Sequence, residues 1–179
     1  MGIMGDPQAS EPSTPEKKNS AASATFTSSE ALETAAFIGG EADVEQGMET
    51  APKGNGERVL LVDDDILVVE NTKRVLEQLG YCVIACTSST DALSLIHATS
   101  EQLNCVLSDL AMPGFSGLQL ATTCRLCRPG VPFLLMSGNA YTPPAESLRA
   151  LRIHEFILKP FSVRLLAEAL HRAMSAGEI

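Results

Sequence analysis

Hydrophobic positions follow two alternating patterns after residue 57. Short apolar runs have the length of β-strands. These runs are Val59 to Val62, Tyr81 to Cys86, Leu103 to Ser108, Val131 to Met136 and His154 to Leu158. Between the runs, apolar residues recur at helical spacing, as Val68, Val75 and Leu79 do. Strands that alternate with helices predict parallel strands joined by right-handed crossovers, so we expect a three-layer α/β domain.

Capping residues predict where the helices begin and end. Gly80 follows the first helical pattern and is suited to a left-handed helix end. Ser88, with Asp91 three residues later, forms a capping-box pattern that predicts the start of the second helix. We expect the other helices over 116–127, after Thr142 with Pro143 and Pro144 in the first turn, and from Ser162.

The first 57 residues differ in composition from the rest of the chain. They contain only six Leu, Ile, Val or Phe residues, and they carry ten acidic and three basic residues. So few large apolar groups cannot offset the entropy lost on ordering the backbone, so we predict a disordered acidic extension over 1–57. Within it, residues 27–38 have the pattern of a short, transient helix. The folded domain is predicted over 58–179.

Composition and charge exclude several classes of function. The chain has 179 residues and a formal net charge of −9, and it contains no apolar run of about 18 residues that would span a membrane. Its N-terminus lacks the pattern of a secretion signal, so we expect a cytoplasmic protein without membrane insertion. Neither part of the chain has the basic excess that direct nucleic-acid binding requires.

Polar residues collect at the ends of the predicted strands. Ligands of open parallel sheets bind at the carboxyl ends of the strands, where the strand order reverses. The residues that follow the first, third, fourth and fifth strands are Asp63, Asp64 and Asp65, then Asp109, Ser137 and Lys159. If the strand order is 2-1-3-4-5, these four strand ends surround one crevice.

Several carboxylates in one crevice need positive charge. Two of them repel by roughly 4 kcal/mol at 4 Å with an effective dielectric near 20. Lys159 supplies one charge, and a hard divalent cation with oxygen ligands, Mg²⁺ in particular, supplies the rest. A backbone carbonyl in the loop from Asp109 to Gly117 is a further candidate ligand. The alternative interpretation, acids at a helix N-terminus, explains Asp65 but leaves Asp109 and Lys159 unexplained.

Four motifs in order resemble the receiver domain of two-component response regulators. They are Val59 to Asp65 (VLLVDDD), Leu107 to Gly117 (LSDLAMPGFSG), Met136 to Asn139 (MSGN) and Phe156 to Phe161 (FILKPF). The likeness extends over most of residues 58–175. It implies a doubly wound (βα)5 flavodoxin-like fold with a parallel sheet of order 2-1-3-4-5.

The resemblance also implies roles for four residues in phosphoryl transfer. Asp109 would accept a phosphoryl group from a phosphohistidine. Lys159 would pair with the phosphoryl oxygens, and Ser137 would donate its hydroxyl to them. Phe156 would move between exposed and buried positions as Ser137 moves, so these two residues form the implied switch.

The implied magnesium ligands lie on the first and third strands. Asp64 would bind Mg²⁺ directly and Asp63 mostly through water. Asp109 and the backbone carbonyl of Ala111 would be the other Mg²⁺ ligands that the protein supplies. A pairing of Asp64 with Asp65 is the alternative register of the acid triplet.

We therefore expect a phospho-accepting signalling domain rather than an enzyme with a separate substrate. Its partners would be a histidine kinase or histidine phosphotransfer protein and a downstream protein target, with homodimer formation left open. The leading hypothesis is a stand-alone receiver in a phosphorelay. The alternatives are a detached C-terminal receiver of a hybrid histidine kinase and an inert pseudo-receiver that serves as a binding scaffold. An Asp-nucleophile phosphatase of the haloacid-dehalogenase type is disfavoured, because it needs a second Asp where Ala111 stands.

At two positions the chain differs from the family that it resembles. Ala111 has no polar group to position an attacking water, so we expect slow loss of the phosphoryl group. Arg152 stands where many family members carry a Gly after the fourth helix. Since only Gly adopts a left-handed cap without strain, we expect that helix to end differently here.

Overall fold

The computed structural model describes residues 47–98, 102–139 and 141–176. In these ranges, one parallel sheet has the order β2-β1-β3-β4-β5. Its strands are β1 (Arg58–Val62), β2 (Cys82–Cys86), β3 (Cys105–Asp109), β4 (Phe133–Ser137) and β5 (Ile153–Leu158). The helices that follow them are α1 (Ile66–Gln78), α2 (Ser89–His97), α3 (Gly117–Cys127), α4 (Ala145–Ala150) and α5 (Val163–Ser175). The predicted three-layer α/β fold and its strand order are confirmed.

Alternating residues of the strands form a separate core on each face of the sheet. Leu61 belongs to the core between the sheet and the helices α1 and α5, where it joins Leu76 and Leu166. Its neighbour Leu60 belongs to the opposite core, with Ile96 of α2 and Leu120 of α3. Successive strand residues point to opposite faces, and strands buried on both faces read as continuous apolar runs.

The predicted helix starts agree with the structure at α2, α3 and α5. Ser88 caps α2 by accepting a hydrogen bond from Asp91 N at 3.3 Å. Ser116 begins α3 with a complete capping box, and Ser162 caps α5. The start of α4 differs from the prediction, since Pro144 is its N-cap and Pro143 precedes the helix. Pro144 therefore stands at the cap rather than inside the first turn.

The end of α4 corrects the expectation about Arg152. This residue has a φ of 50°, in the left-handed region, and its N–H donates to Arg149 O at 3.0 Å. The helix thus ends through a left-handed residue, as it would with glycine. A residue with a Cβ costs roughly 1–2 kcal/mol in this conformation. The strand β5 begins at the next residue, Ile153.

Residues 47–57 are packed against the domain. Residues 47–50 are helical, and Ala51 is buried in the core beside α1 and α5. Gly54 N donates to Leu79 O at 2.7 Å, and Gly56 N donates to Gly80 O at 2.9 Å. This packed segment precedes residue 58, where the sequence predicts the start of the folded domain. The short helix expected over 27–38 lies outside the described residues.

In the three described ranges, no helix has both the length and the apolar composition needed to cross a membrane.

Candidate functional site

The carboxyl edge of the sheet brings together the ends of four neighbouring strands. Asp63 follows β1, Asp109 is the last residue of β3, and Ser137 is the last residue of β4. Lys159 follows β5, and its N–H donates to Ser137 O at 2.8 Å. The strand β2, which ends in Cys86 without a charged side chain, lies at the edge of the sheet. The predicted crevice is therefore formed by these strand ends.

Lys159 bridges two buried carboxylates. Its Nζ lies 2.5 Å from Asp109 Oδ1, and the same Nζ donates to Asp63 Oδ2. Asp63 is 2% exposed and Asp109 is 6% exposed. Because both carboxylates lie close to one ammonium, they lie within about 5 Å of each other. The ammonium offsets a repulsion that would otherwise oppose their burial.

Burial and charge change the pKa values of this cluster in a consistent way. Burial raises the pKa of Asp63, although the hydrogen bond and charge of Lys159 act in the opposite direction. Burial lowers the pKa of Lys159, but the hydrogen bonds and charges of Asp109 and Asp63 outweigh this effect, and the net result is a raised pKa. The Lys159 side chain is therefore held as an ammonium.

Backbone amides hold the second oxygen of each carboxylate. Ala111 N donates to Asp109 Oδ2 at 2.7 Å, and Asp65 N donates to Asp63 Oδ1 at 3.1 Å. Each carboxylate thus has one oxygen on Lys159 and the other on the loop that follows its own strand. This arrangement fixes the orientation of both side chains.

The two remaining acids of the triplet have separate environments. Asp65 is the N-cap of α1 and accepts a hydrogen bond from Leu67 N at 2.9 Å. The helix N-terminal interpretation of the acids therefore holds for Asp65. Asp64 is exposed and lines a cleft of about 300 Å³ beside Ser89 and Met112.

Ser137 and Phe156, the two residues of the implied switch, lie on neighbouring strands. The Ser137 side chain is buried, and its hydroxyl donates to Asn139 O at 3.2 Å and accepts from Asn139 N at 3.2 Å. Phe156 is half-buried and packs against the core beside α2 and α3. In the part of the chain described, the Ser137 hydroxyl bonds to its own loop and not to Asp109 or Lys159.

The donor atoms fit Mg²⁺ chemically, but their arrangement is not yet that of a three-carboxylate metal site. Carboxylate and carbonyl oxygens are the ligands that Mg²⁺ prefers. Within the described ranges, however, no three His, Cys, Asp or Glu side chains are grouped closely enough to hold a metal ion. Lys159 bridges Asp63 and Asp109, and Asp64 lines the cleft. The expected convergence of three carboxylates is therefore present for two of them.

Two residues shape the loop after Asp109 through contacts that the sequence alone does not show. A Cβ on Gly117 would overlap the Asp109 carbonyl oxygen and lie 2.6 Å from Leu135 Cδ2, so the start of α3 packs directly on the end of β3. Ser89 donates to Pro113 O at 2.8 Å and accepts from Phe115 N at 3.0 Å. A close backbone approach or a long-range hydroxyl contact leaves no periodic signal in a sequence.

Together, the fold and the site define a class of protein. The class is a doubly wound α/β domain of strand order 2-1-3-4-5, with an Asp–Lys–Asp cluster at the carboxyl edge of its sheet. Residues 59–171 match the model of the response regulator receiver domain. The chain therefore belongs to the response regulator receiver domain family. This confirms the family resemblance that the four sequence motifs indicate.

Relatives of known sequence carry this domain within longer proteins. The chain is 32% identical over 115 residues to the C4-dicarboxylate transport transcriptional regulatory protein DctD of Rhizobium meliloti, covering 64% of this chain and 25% of that protein. It is 34% identical over 109 residues to the sensor kinase CckA of Brucella abortus, covering 61% of this chain and 12% of that protein. The chain thus spans a quarter or less of each of these two relatives.

Solved structures agree with the fold. A CheY-like response regulator receiver domain protein from Methanospirillum hungatei has a TM-score of 0.64 and 28% identity, with 69% of this chain and 97% of that chain covered. The response regulator TrrA of Thermotoga maritima, solved in complex with Mg²⁺ and BeF, has a TM-score of 0.59 and 26% identity, with 65% and 98% covered. Both are similar to this chain over its folded domain.

Proposed function

We propose that the domain accepts a phosphoryl group on Asp109 from a phosphohistidine, in a Mg²⁺-dependent reaction. The donor would be a histidine kinase or a histidine phosphotransfer protein, and the phosphorylated domain would signal through a contact with a downstream protein. A cytoplasmic location is part of this proposal. The observation that carries it is the nearly buried Asp109 carboxylate, which lies 2.5 Å from the Lys159 ammonium at the ligand-binding edge of a receiver fold.

The reaction requires alignment and charge neutralisation more than covalent assistance. The bond from phosphorus to the donor imidazole nitrogen breaks, and a bond forms from phosphorus to an Asp109 oxygen. The imidazole leaves with its electron pair and is protonated from solvent. Lys159 would turn from Asp109 Oδ1 to the phosphoryl oxygens and free that oxygen for attack. Ser137 would release its bonds to Asn139 and donate its hydroxyl to the same phosphoryl group.

The proposed metal ligands are Asp63, Asp64, Asp109 and the backbone carbonyl of Ala111. When bound, Mg²⁺ supplies further neutralisation of the phosphoryl oxygens. The ligands converge only after Lys159 has moved toward the phosphoryl group, because its ammonium now contacts both Asp63 and Asp109. Lysine movement and magnesium binding are therefore coupled in this proposal.

The signal would end by hydrolysis of the acyl phosphate, with the methyl group of Ala111 giving no help to the attacking water. Before that, the turn of Ser137 toward the phosphoryl group would vacate space that Phe156 fills. The half-buried position of Phe156 against the core beside α2 and α3 supports this role. The surface changed by this movement is where we place the contact with the downstream protein.

The test is phosphorylation by a small donor. The full chain is incubated with acetyl phosphate and Mg²⁺, and intact mass is measured with and without a chelator. The wild type should gain the mass of one phosphoryl group only when Mg²⁺ is free, and Asp109→Asn should gain none. Asp91→Asn, which changes an exposed acid on α2, is the matched control and should label as the wild type does. An unlabelled wild type, or equal labelling of Asp109→Asn, would refute the assignment and favour a pseudo-receiver scaffold.

A further inference from the structure

Two adjacent serines at the start of α2 make different contacts. Ser88 is the N-cap, and its hydroxyl accepts from Asp91 N within the same helix. Ser89 is the first residue of α2, and its hydroxyl bonds to the loop after β3. It donates to Pro113 O at 2.8 Å and accepts from Phe115 N at 3.0 Å. Ser89 is 5% exposed, whereas its partners Pro113 and Phe115 are exposed, so both bonds are partly buried.

Residues 110–116, which we call the acceptor loop, are fixed firmly at both ends. At its start, Ala111 N donates to Asp109 Oδ2 at 2.7 Å. At its end, Gly117 N donates to Leu110 O at 3.0 Å. Among the residues described by the structure, the tip at 112–114 makes no hydrogen bond other than the one that Pro113 accepts from Ser89. The Ser89 hydroxyl is therefore the polar attachment of the tip.

We propose that Ser89 is a positioning residue for phosphorylation of Asp109. Its hydroxyl ties the tip of the acceptor loop to the N-terminus of α2, a contact that we call the Ser89 latch. The latch holds the backbone of Ala111, whose N–H bonds to Asp109 and whose carbonyl is a proposed Mg²⁺ ligand. The effect on phosphorylation rests on the proposed function, whereas the latch itself does not.

The chemistry of the latch requires a small hydroxyl side chain. A hydroxyl can donate and accept at once, and the latch uses both capacities. Alanine would leave the Pro113 carbonyl and the Phe115 amide without their buried partner. The loop also passes close to the helix, since a Cβ on Gly114 would lie 3.1 Å from Ser89 Oγ. Larger side chains at position 89 would therefore push the loop away.

The position of the latch explains why it should affect the reaction. Asp64, Ser89, Met112 and Gly114 line the same cleft. A released tip would widen this cleft and loosen Ala111, and with it the orientation of Asp109. Misplacement of a reacting group by about 1 Å can cost a hundredfold in rate. A partly loosened loop should cost about tenfold.

The experiment compares Ser89→Ala with Ser88→Ala, the same change one residue away. Amide hydrogen exchange at Phe115 reports the latch, and labelling by acetyl phosphate with Mg²⁺ reports the reaction. We expect Ser89→Ala to expose the Phe115 amide to exchange and to slow labelling about tenfold. Ser88→Ala removes a helix cap and should lower the melting temperature, yet keep Phe115 protected and labelling within about twofold of the wild type.

Each readout can overturn the proposal separately. In the wild type, the Phe115 amide should exchange more slowly than the Gly114 amide, which has no hydrogen bond in the described structure. Equal exchange rates would show that there is no latch. This test uses the wild type alone, so it does not depend on whether Ser89→Ala folds. If Ser89→Ala loses Phe115 protection but labels at the wild-type rate, the positioning role is wrong. If the wild type takes no phosphoryl group, the proposed function and the positioning role both fail, while a protected Phe115 still supports the latch.

Discussion

The Lys159 ammonium lies 2.5 Å from Asp109 Oδ1, and the same nitrogen contacts Asp63. Because both carboxylates are nearly buried, this single cation compensates two charges that have little contact with water. The site is therefore held together by the residue that the proposed reaction must move. Its stability and its reactivity depend on the same contact.

Replacing Lys159 by methionine should destabilise the domain strongly. The substitution keeps most of the length of the side chain but leaves two close, buried carboxylates without a counter-charge, which should cost about 3 kcal/mol in the free energy of unfolding. Urea denaturation near neutral pH measures it. Adding Asp63→Asn to the variant should restore part of the loss. Lys73→Met, which removes an exposed pair with Glu77, is the control and should change little. A Lys159→Met domain as stable as this control would contradict the bridging role.

Tyr81 should make the domain sensitive to alkaline pH. Burial, followed by the negative charge of Glu57, raises the pKa of Tyr81 from 10.0 to about 12. Between these values the folded state keeps a proton that the unfolded state loses, so stability falls as pH rises through this interval. The full effect is on the order of 2–3 kcal/mol. Urea denaturation of Tyr81→Phe between about pH 10 and pH 12 should show a correspondingly smaller decline.

The control for Tyr81 is the other tyrosine of the chain. Tyr141 is 59% exposed, so Tyr141→Phe should keep the alkaline decline of the wild type. This variant also leaves Tyr81 as the sole phenol, whose ionisation can be followed directly by ultraviolet absorbance. An equal decline in Tyr81→Phe and the wild type would assign the pH dependence to other groups.

Gly54 should be required for the packing of residues 47–57. A Cβ at this position would lie 2.6 Å from Cδ1 and Cε1 of Tyr81, which is closer than side chains pack. Gly54→Ala should therefore lower the free energy of unfolding by about 1–3 kcal/mol and speed tryptic cleavage after Lys53. Gly130→Ala, at a site with nothing within 4 Å, is the matched control. Cleavage at the wild-type rate in Gly54→Ala would show that the segment is held in some other way.

The sequence was sufficient to predict the parts of the fold that depend on periodicity and on chain order. The alternation of apolar runs and helical spacing predicted the layers, and the polar residues after four of the five runs predicted the edge of the sheet that carries the site. Asp63, Asp109 and Lys159 meet there because the carboxyl ends of parallel strands share one side of a sheet. These inferences need only a local pattern and a rule of topology.

The features that could not be predicted depend on contacts between distant backbone segments. Gly54 packs on Tyr81 through the absence of a side chain, which a count of large apolar residues does not register. The spacing to Asp91 identified Ser88 as the helix cap, but no local pattern showed that Ser89 bonds to the loop after β3. Arg152 adopts the left-handed conformation although its side chain disfavours it. In each case the structure departs from, or adds a contact to, what the local sequence pattern predicts.

Gly117 should be needed for both the stability and the reactivity of the site. A Cβ there would overlap the carbonyl oxygen of Asp109 and approach Leu135 Cδ2 to 2.6 Å, so the start of α3 would have to move away from β3. We expect Gly117→Ala to lower the free energy of unfolding by about 2 kcal/mol, because backbone rather than a flexible side chain must shift. It should also slow acetyl phosphate labelling about tenfold, because the Asp109 backbone moves with the contact. Gly138→Ala, with nothing within 4 Å, is the stability control. A Gly117→Ala domain with normal stability and normal labelling would mean that α3 and β3 separate at no cost, contrary to the close packing that carries this prediction.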